Sequence, residues 1–235
     1  MFSPSSYLSL LARFEKAGYD FRFFDDHGPD GSLILRHDVD FSLEYALEMA
    51  RLEQSVGATS TYFILLSTEF YNVLAPRAAA IVREIRSTGS RIGLHFDPTA
   101  YNNYNDGFEL ERRLFERQFS QDLDIVSLHR PRDFLRDNNK ALNGVRHTYE
   151  DDFFKTIKYV SDSGGSFRFG SPFETDEFAL GRTIHLNLHP IWWMRPGLSP
   201  SETIRNWQRD QLQMSNGQAV INCLTFDGVP AFKPV

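Results

Sequence analysis

Cysteine is almost missing from this chain. Cys223 is the one cysteine among 235 residues. A lone cysteine forms no intrachain disulfide and builds no cysteine-rich zinc site. An excess of positive charge is missing too. The formal net charge of -6 argues against a nucleic-acid partner, whose phosphates call for a basic surface. It argues more weakly against an anionic membrane surface. No apolar run is long enough to span a bilayer, so no stable membrane insertion is expected. Residues 1–13 lack a basic start, an apolar stretch and a small-residue cleavage site. No secretory signal is therefore expected, and a cytoplasmic location is the simplest reading. There is no G-x-G-x-x-G or Walker-type phosphate loop, and Gly164-Gly165 is too short to count. No repeat, low-complexity tract or linker divides the chain, so residues 1–235 are expected to form one domain.

What is present is an alternation of strand patterns and helix patterns. Hydrophobic residues make up 41%, enough for a real core. Residues 32–36 read as a strand. A helix then follows to about Val56, capped by Ser42, with Leu43, Ala46, Leu47 and Ala50 on one face. Gly57 is placed to end it, since glycine enters the left-handed region cheaply. Residues 59–65 are rich in β-branched and aromatic side chains and read as a strand. Pro76 suits the first turn of a helix carrying Ile81, Val82 and Ile85, which Gly89 stops. Residues 91–96, 125–129, 157–160 and 183–189 read as further strands, and 108–119 as a helix. Residues 131–151 show no clear period. Ser199-Pro200-Ser201-Glu202 spells a capping box with proline at the first helical position. This order implies a parallel α/β sheet with helices outside, either a closed or nearly closed barrel or an open doubly wound sheet.

Active sites in parallel α/β folds form at the C-terminal ends of the strands, and the polar residues collect there. Strand side chains alternate between faces. In Arg36-His37-Asp38-Val39-Asp40 the two aspartates share a face and His37 points away. His95 shares a face with Asp97, and His185, Asn187 and His189 share another. His129 ends its strand in the same way. Carboxylate oxygen and imidazole nitrogen together suit zinc or a similar divalent ion. Each residue alone has an ordinary alternative. Asp38 and Asp40 could cap the following helix at its positive end. His37 and His147 read as structural and His27 as a loop residue. Trp192, Trp193, Tyr101 and Tyr104 could stack on a sugar ring or simply pack. Four strand ends nevertheless agree in carrying carboxylates or imidazoles, which coincidence explains poorly.

At these residues the sequence resembles the polysaccharide deacetylases of carbohydrate esterase family 4, the NodB-like homology domain. The resemblance spans about residues 33–193. Leu35-Arg36-His37-Asp38-Val39-Asp40 resembles the H-D-V-D form of the family's first motif. Ile92-Gly93-Leu94-His95 resembles the second motif, Leu188-His189-Pro190 the last, and Tyr159-Val160-Ser161-Asp162-Ser163 the segment bearing an orienting aspartate. Two motifs depart from the pattern. Thr99 stands where the second motif has its second histidine. Leu128-His129-Arg130-Pro131-Arg132 stands in place of R-x-P-Y.

The resemblance implies a distorted (β/α)7 barrel and an N-deacetylase that takes an N-acetylated sugar substrate. It also implies one divalent metal ion, zinc first among the candidates. Asp38 would be the general base, His189 the general acid, and Asp40 and His95 metal ligands. His129 is the candidate for the missing ligand, with Asp97 second. Arg130, Asp162, Arg168 and Trp192 would bind substrate or orient catalytic groups. Arg36 or Arg130 could keep Asp38 ionised. The subgroup it most resembles works on bacterial cell-surface polysaccharide precursors. Another amide C–N hydrolase on the same scaffold, or an inactive carbohydrate-binding homologue, would share these features.

Overall fold

Pairing between neighbouring strands is parallel throughout, and one strand carries the first candidate site residues. The computed structural model describes residues 2–137, 142–195 and 197–228. Helix α1 (Pro4–Lys16) opens the chain. The hydroxyl of Ser3 accepts from the Ser6 N–H, and the Ser6 hydroxyl accepts from the Ser3 N–H, which closes a capping box. Then follow β1 (Asp20–Arg22), β2 (Ser32–Val39), α2 (Leu43–Ser55), β3 (Thr61–Leu65), α3 (Pro76–Ser87) and β4 (Arg91–Phe96). Next come α4 (Tyr104–Phe119), β5 (Ile125–Leu128), α5 (Arg132–Asp137), β6 (Arg146–His147) and β7 (Lys158–Ser161). The chain ends with α6 (Asp176–Ala179), β8 (Ile184–Leu188), α7 (Pro190–Met194) and α8 (Pro200–Asn222).

The seven-stranded path runs β6-β5-β4-β3-β2-β8-β7, with β1 paired to the start of β2. The sheet curls into a distorted (β/α)7 barrel that stays open between β6 and β7. Aromatic rings stand at that opening, with Tyr149 5.9 Å and Phe154 5.0 Å from Tyr159. All eight residues of β2 are buried, as expected for a central parallel strand covered on both faces. Its outward side chains join the large core under the helices, with Leu33, Leu35 and Val39 packed among residues such as Ala46, Ala50 and Leu186. Among its inward side chains, Ile34 joins Phe24, Phe63, Phe153 and Ile157 in a separate apolar cluster. A Cβ on Gly93 would stand 2.7 Å from the Phe63 ring, so glycine there is what lets Phe63 fill the barrel. Arg36 and Asp38 follow on the same face. The barrel interior thus turns from apolar to charged along β2.

Most expected elements lie where the patterns put them. Ser42 caps α2 through the Tyr45 N–H, and Gly57 and Gly89 have positive φ. Three details differ. Helix α4 starts four residues early, at Tyr104, because the Asn103 side chain caps it. The patternless stretch 131–151 contains α5 and β6, while its residues 138–141 lie outside the described residues. At α8 only half of the expected capping box forms. Ser199 accepts from the Glu202 N–H, but the Glu202 carboxylate takes the N–H of Leu198 rather than that of Ser199. Among the described residues no helix is long and apolar enough to cross a membrane.

Candidate active site

Asp40 is the first residue beyond β2, and the Tyr71 hydroxyl holds the carbonyl just before it, that of Val39. Asp40 Oδ1 lies 3.2 Å from His95 Nε2 and 3.4 Å from His129 Nδ1. Those two nitrogens are 3.2 Å apart. His95 comes from β4. His129 follows β5, where its N–H donates to the Phe96 carbonyl and continues the pairing for one more residue.

The three donor atoms make a nearly equilateral triangle. A tetrahedral zinc site with bonds of about 2.0–2.1 Å has edges of about 3.3–3.4 Å. Asp40 Oδ1 is buried, and although both rings are close, neither hydrogen-bonds to it along an acceptable angle. The three atoms stand close enough together to share one ion. His95 Nδ1 lies 3.2 Å from the Ser127 carbonyl, so it carries the ring proton and leaves the Nε2 lone pair free for that ion. Two imidazole nitrogens and one carboxylate are a donor set for a divalent ion, and Asp40, His95 and His129 fit it.

Asp97 does not join them. Its Oδ1 accepts from the Thr99 N–H and hydroxyl at 2.9 and 2.6 Å, and its Oδ2 pairs with Arg130 at 2.7 Å. Thr99 and Asp97 are thus used on each other.

Asp38 lies beside the triangle, its Oδ2 3.9 Å from His95 Nε2. The cation that grips it is Arg36, not Arg130. Arg36 Nε and Nη2 reach the two carboxylate oxygens at 2.9 and 2.8 Å. The Ser127 hydroxyl and the Asn187 amide donate to the same carboxylate at 3.0 and 3.2 Å. Burial alone would raise the Asp38 pKa, but the charge and hydrogen bonds of Arg36 hold it well below the usual carboxylate range. Arg130 turns away because its backbone is left-handed, at φ 47°, and its side chain, 69% exposed, pairs with Asp97.

His189 follows β8 on the other side of Asp40, with its Nε2 3.8 Å from Asp40 Oδ2. Its Nδ1 is 2.6 Å from Asp162 Oδ1, and its N–H donates to the same carboxylate. Trp193, one helical turn later, donates its indole N–H to Asp162 Oδ2 at 2.7 Å. Burial would lower the His189 pKa, but Asp162, helped by Asp40 and Asp38, pushes it up to about 10.

Asp38, Asp40, His95, His129, Asp162 and His189 therefore converge, while three candidates stand apart. Arg130 reaches the cluster only through Asp97. Arg168 is exposed and lies against Gly164. Trp192 is buried, with its indole nitrogen among the unpaired atoms, and borders a cavity of about 410 Å³ with Phe2, Phe167 and Leu198. Tyr101 and Tyr104 pack against Phe96 and Phe134. Sequence reasoning passed over Ser127, and it read Trp193 as a sugar-stacking or packing residue rather than as the donor that holds Asp162. Ser127 could have been found from its place two residues before His129 on the same strand face, and Trp193 from its spacing of four from His189. A larger cavity of about 720 Å³ opens at the N-terminal ends of the strands, and none of the converging residues lines it.

No family model and no curated protein matches the sequence. Solved structures do resemble it. One is the wild-type CE4 family pseudoenzyme from Bacillus anthracis, at 11% identity and a TM-score of 0.42, over 80% of this chain and 63% of that one. Another is the Streptococcus pyogenes deacetylase PplD in complex with acetate, at 11% identity and 0.44, over 88% and 87% of the two chains. A third is a family 4 carbohydrate esterase from Bacillus anthracis, at 12% and 0.42, over 88% and 86%. The chain spans less than two-thirds of the length of the pseudoenzyme.

Proposed function

We propose that this protein is a metal-dependent amide hydrolase that removes the N-acetyl group from an amino sugar. One observation carries the reading: Asp40 Oδ1, His95 Nε2 and His129 Nδ1 meet at tetrahedral spacing, with an ionised carboxylate on one side and an imidazolium on the other. Three protein ligands leave a fourth position for water or substrate, the arrangement of catalytic zinc sites. A divalent ion bound there supplies a Lewis acid for the amide carbonyl and makes water more acidic.

The chain's own residues divide the remaining work. Asp38, kept ionised by Arg36, accepts a proton from the attacking water. His189 holds a proton at Nε2, because Nδ1 is bonded to Asp162, and delivers it to the departing amine. Asp162 fixes the ring's orientation and favours its charged form, and Trp193 fixes Asp162. Asp38 borders the three donor atoms at His95 and His189 borders them at Asp40, which suits addition to a carbonyl and protonation of a leaving nitrogen. The sugar part of the proposal is supported by the resemblance of residues 35–40, 92–95 and 188–190 to polysaccharide deacetylase motifs.

The test is metal analysis of the purified protein together with acetate release from N-acetylated sugar nucleotides and oligosaccharides. Zinc near one equivalent with metal-dependent acetate release is expected. Bound metal without acetate release, but with hydrolysis of other amides, would move the assignment to another C–N hydrolase. Absence of bound metal after supplying zinc would remove the proposal.

A further inference from the structure

Three polar atoms deep in the barrel have no protein partner among the described residues: Arg36 Nη1, His185 Nε2 and Asn187 Oδ1. Their residues are 0%, 0% and 2% exposed. Burying such groups unpaired is costly, and native interiors rarely do it. The three come from adjacent strands. In the register of β2 and β8, Arg36 stands opposite Asn187 and Ile34 opposite His185. Alternation puts Arg36 on the inward face of β2 and both His185 and Asn187 on the inward face of β8.

Their roles follow from the bonds already made. Arg36 spans Asp38 with Nε and Nη2. A guanidinium is planar, so Nη1 lies off the edge that grips Asp38 and is left free of it, on a residue whose strand neighbour is Asn187. Besides burial, the positive charge of Arg36 is the main influence on the His185 ring, and together they push its pKa down to about 3. A neutral ring with Nδ1 3.0 Å from the Phe153 carbonyl carries its proton on Nδ1, because a carbonyl only accepts. His185 Nε2 is therefore a bare lone pair. The Asn187 amide nitrogen faces the Asp38 carboxylate and the Tyr159 hydroxyl at 3.2 and 3.1 Å, which leaves Oδ1 as an acceptor.

The inventory is thus one donor nitrogen, carrying two N–H groups, and two acceptors. We propose that one ordered water molecule is bound inside the barrel, accepting from Arg36 Nη1 and donating to His185 Nε2 and Asn187 Oδ1. A water has the complementary set, and buried waters typically make about three hydrogen bonds. Chloride would satisfy Arg36 but meet two lone pairs. A sodium or ammonium ion would satisfy His185 and Asn187 but face the guanidinium. The water links the two groups that hold Asp38 from below, Arg36 and Asn187, to His185, which touches none of the converging site residues. His185 Nε2 accordingly serves as one of the two acceptors that hold this water. The inference stands whether or not the chain hydrolyses amides.

A high-resolution crystal structure of the wild-type protein tests it, collected also at long wavelength to reveal chloride. The expected result is one full-occupancy peak, without anomalous signal, about 2.7–3.2 Å from all three atoms. No peak, an anomalous peak, or any of the three atoms bonded to a protein group overturns the proposal. In His185→Phe the peak should be lost while the Arg36–Asp38 pair persists. A peak unchanged in that variant overturns the role given to His185. Should His185→Phe not fold, the wild-type map alone decides.

Discussion

Asp162 holds His189 twice: its carboxylate lies 2.6 Å from Nδ1 of the ring and accepts the backbone N–H of the same residue. The peptide that carries this N–H is held from its other side as well, since His37 Nδ1 lies 3.3 Å from the Leu188 carbonyl. Ring and backbone of the proposed general acid are therefore fixed together.

His189→Ala should lower turnover by about 100-fold or more, as expected for loss of a positioned acid, with metal content unchanged. The pH profile carries the sign. A histidine whose pKa is raised, here to about 10, keeps its proton through neutral pH and loses it as pH rises through that value. A cation at Asp40 would pull the value down from there by repelling the imidazolium. Activity should fall on the alkaline side, and in Asp162→Asn that fall should move to lower pH. An alkaline limb that does not move would remove Asp162 from this role.

Asp40→Ala and His95→Ala should each abolish stoichiometric zinc binding. His129→Ala should weaken it and leave residual binding, because His129 is the most exposed of the three. Metal analysis after dialysis checks all three. Full zinc content in His129→Ala would mean that another group completes the site.

Asp38→Asn should keep its metal and lose most activity. It should also be less stable by about 3 to 5 kcal/mol, because the buried Arg36 charge loses its counter-charge. Denaturant titration and metal analysis of one preparation read both effects. Loss of metal would make Asp38 a ligand.

Away from the site, Glu53 should set part of the acid stability. Its carboxylate is fully buried and accepts from His37, Ser60, Tyr7 and Tyr62. Burial alone would raise its pKa, but the His37 ring and the hydrogen bonds hold it below the usual value. A depressed carboxylate contributes stability above its unfolded pKa of about 4.3, and that stability is lost as pH falls through the folded value. Glu53→Gln should therefore cost about 3 to 5 kcal/mol at neutral pH and flatten the decline of stability below about pH 4. An unchanged slope in that acid range would contradict this.

Gly107 offers a simple packing test. Glycine to alanine inside a helix usually gains about 1 kcal/mol. Here a Cβ would stand 2.2 Å from the Tyr101 ring. That ring is pinned by hydrogen bonds to Ser67 and Glu111 and packs on Phe96. Gly107→Ala should instead destabilise the protein by about 1 to 3 kcal/mol. A higher melting temperature would show that Tyr101 moves freely.

The sequence by itself determined whatever depends on local spacing. The two-residue period of β2 placed Arg36, Asp38 and Asp40 on one face and His37 on the other, and the structure keeps that division, with His37 on Glu53 and Asp38 on Arg36. Caps and glycines marked where helices begin and end, because those bonds join residues only a few positions apart. Tertiary structure alone decided which distant groups meet. Strand β8 lies between β2 and β7 although it comes last in the chain, and only that order brings His189 beside both Asp40 and Asp162. The choice between Arg36 and Arg130 was equally closed to local reading. It turned on the left-handed backbone at Arg130 and on an Asp97 carboxylate some thirty residues away, both products of how neighbouring strands pack rather than of the residues around either arginine.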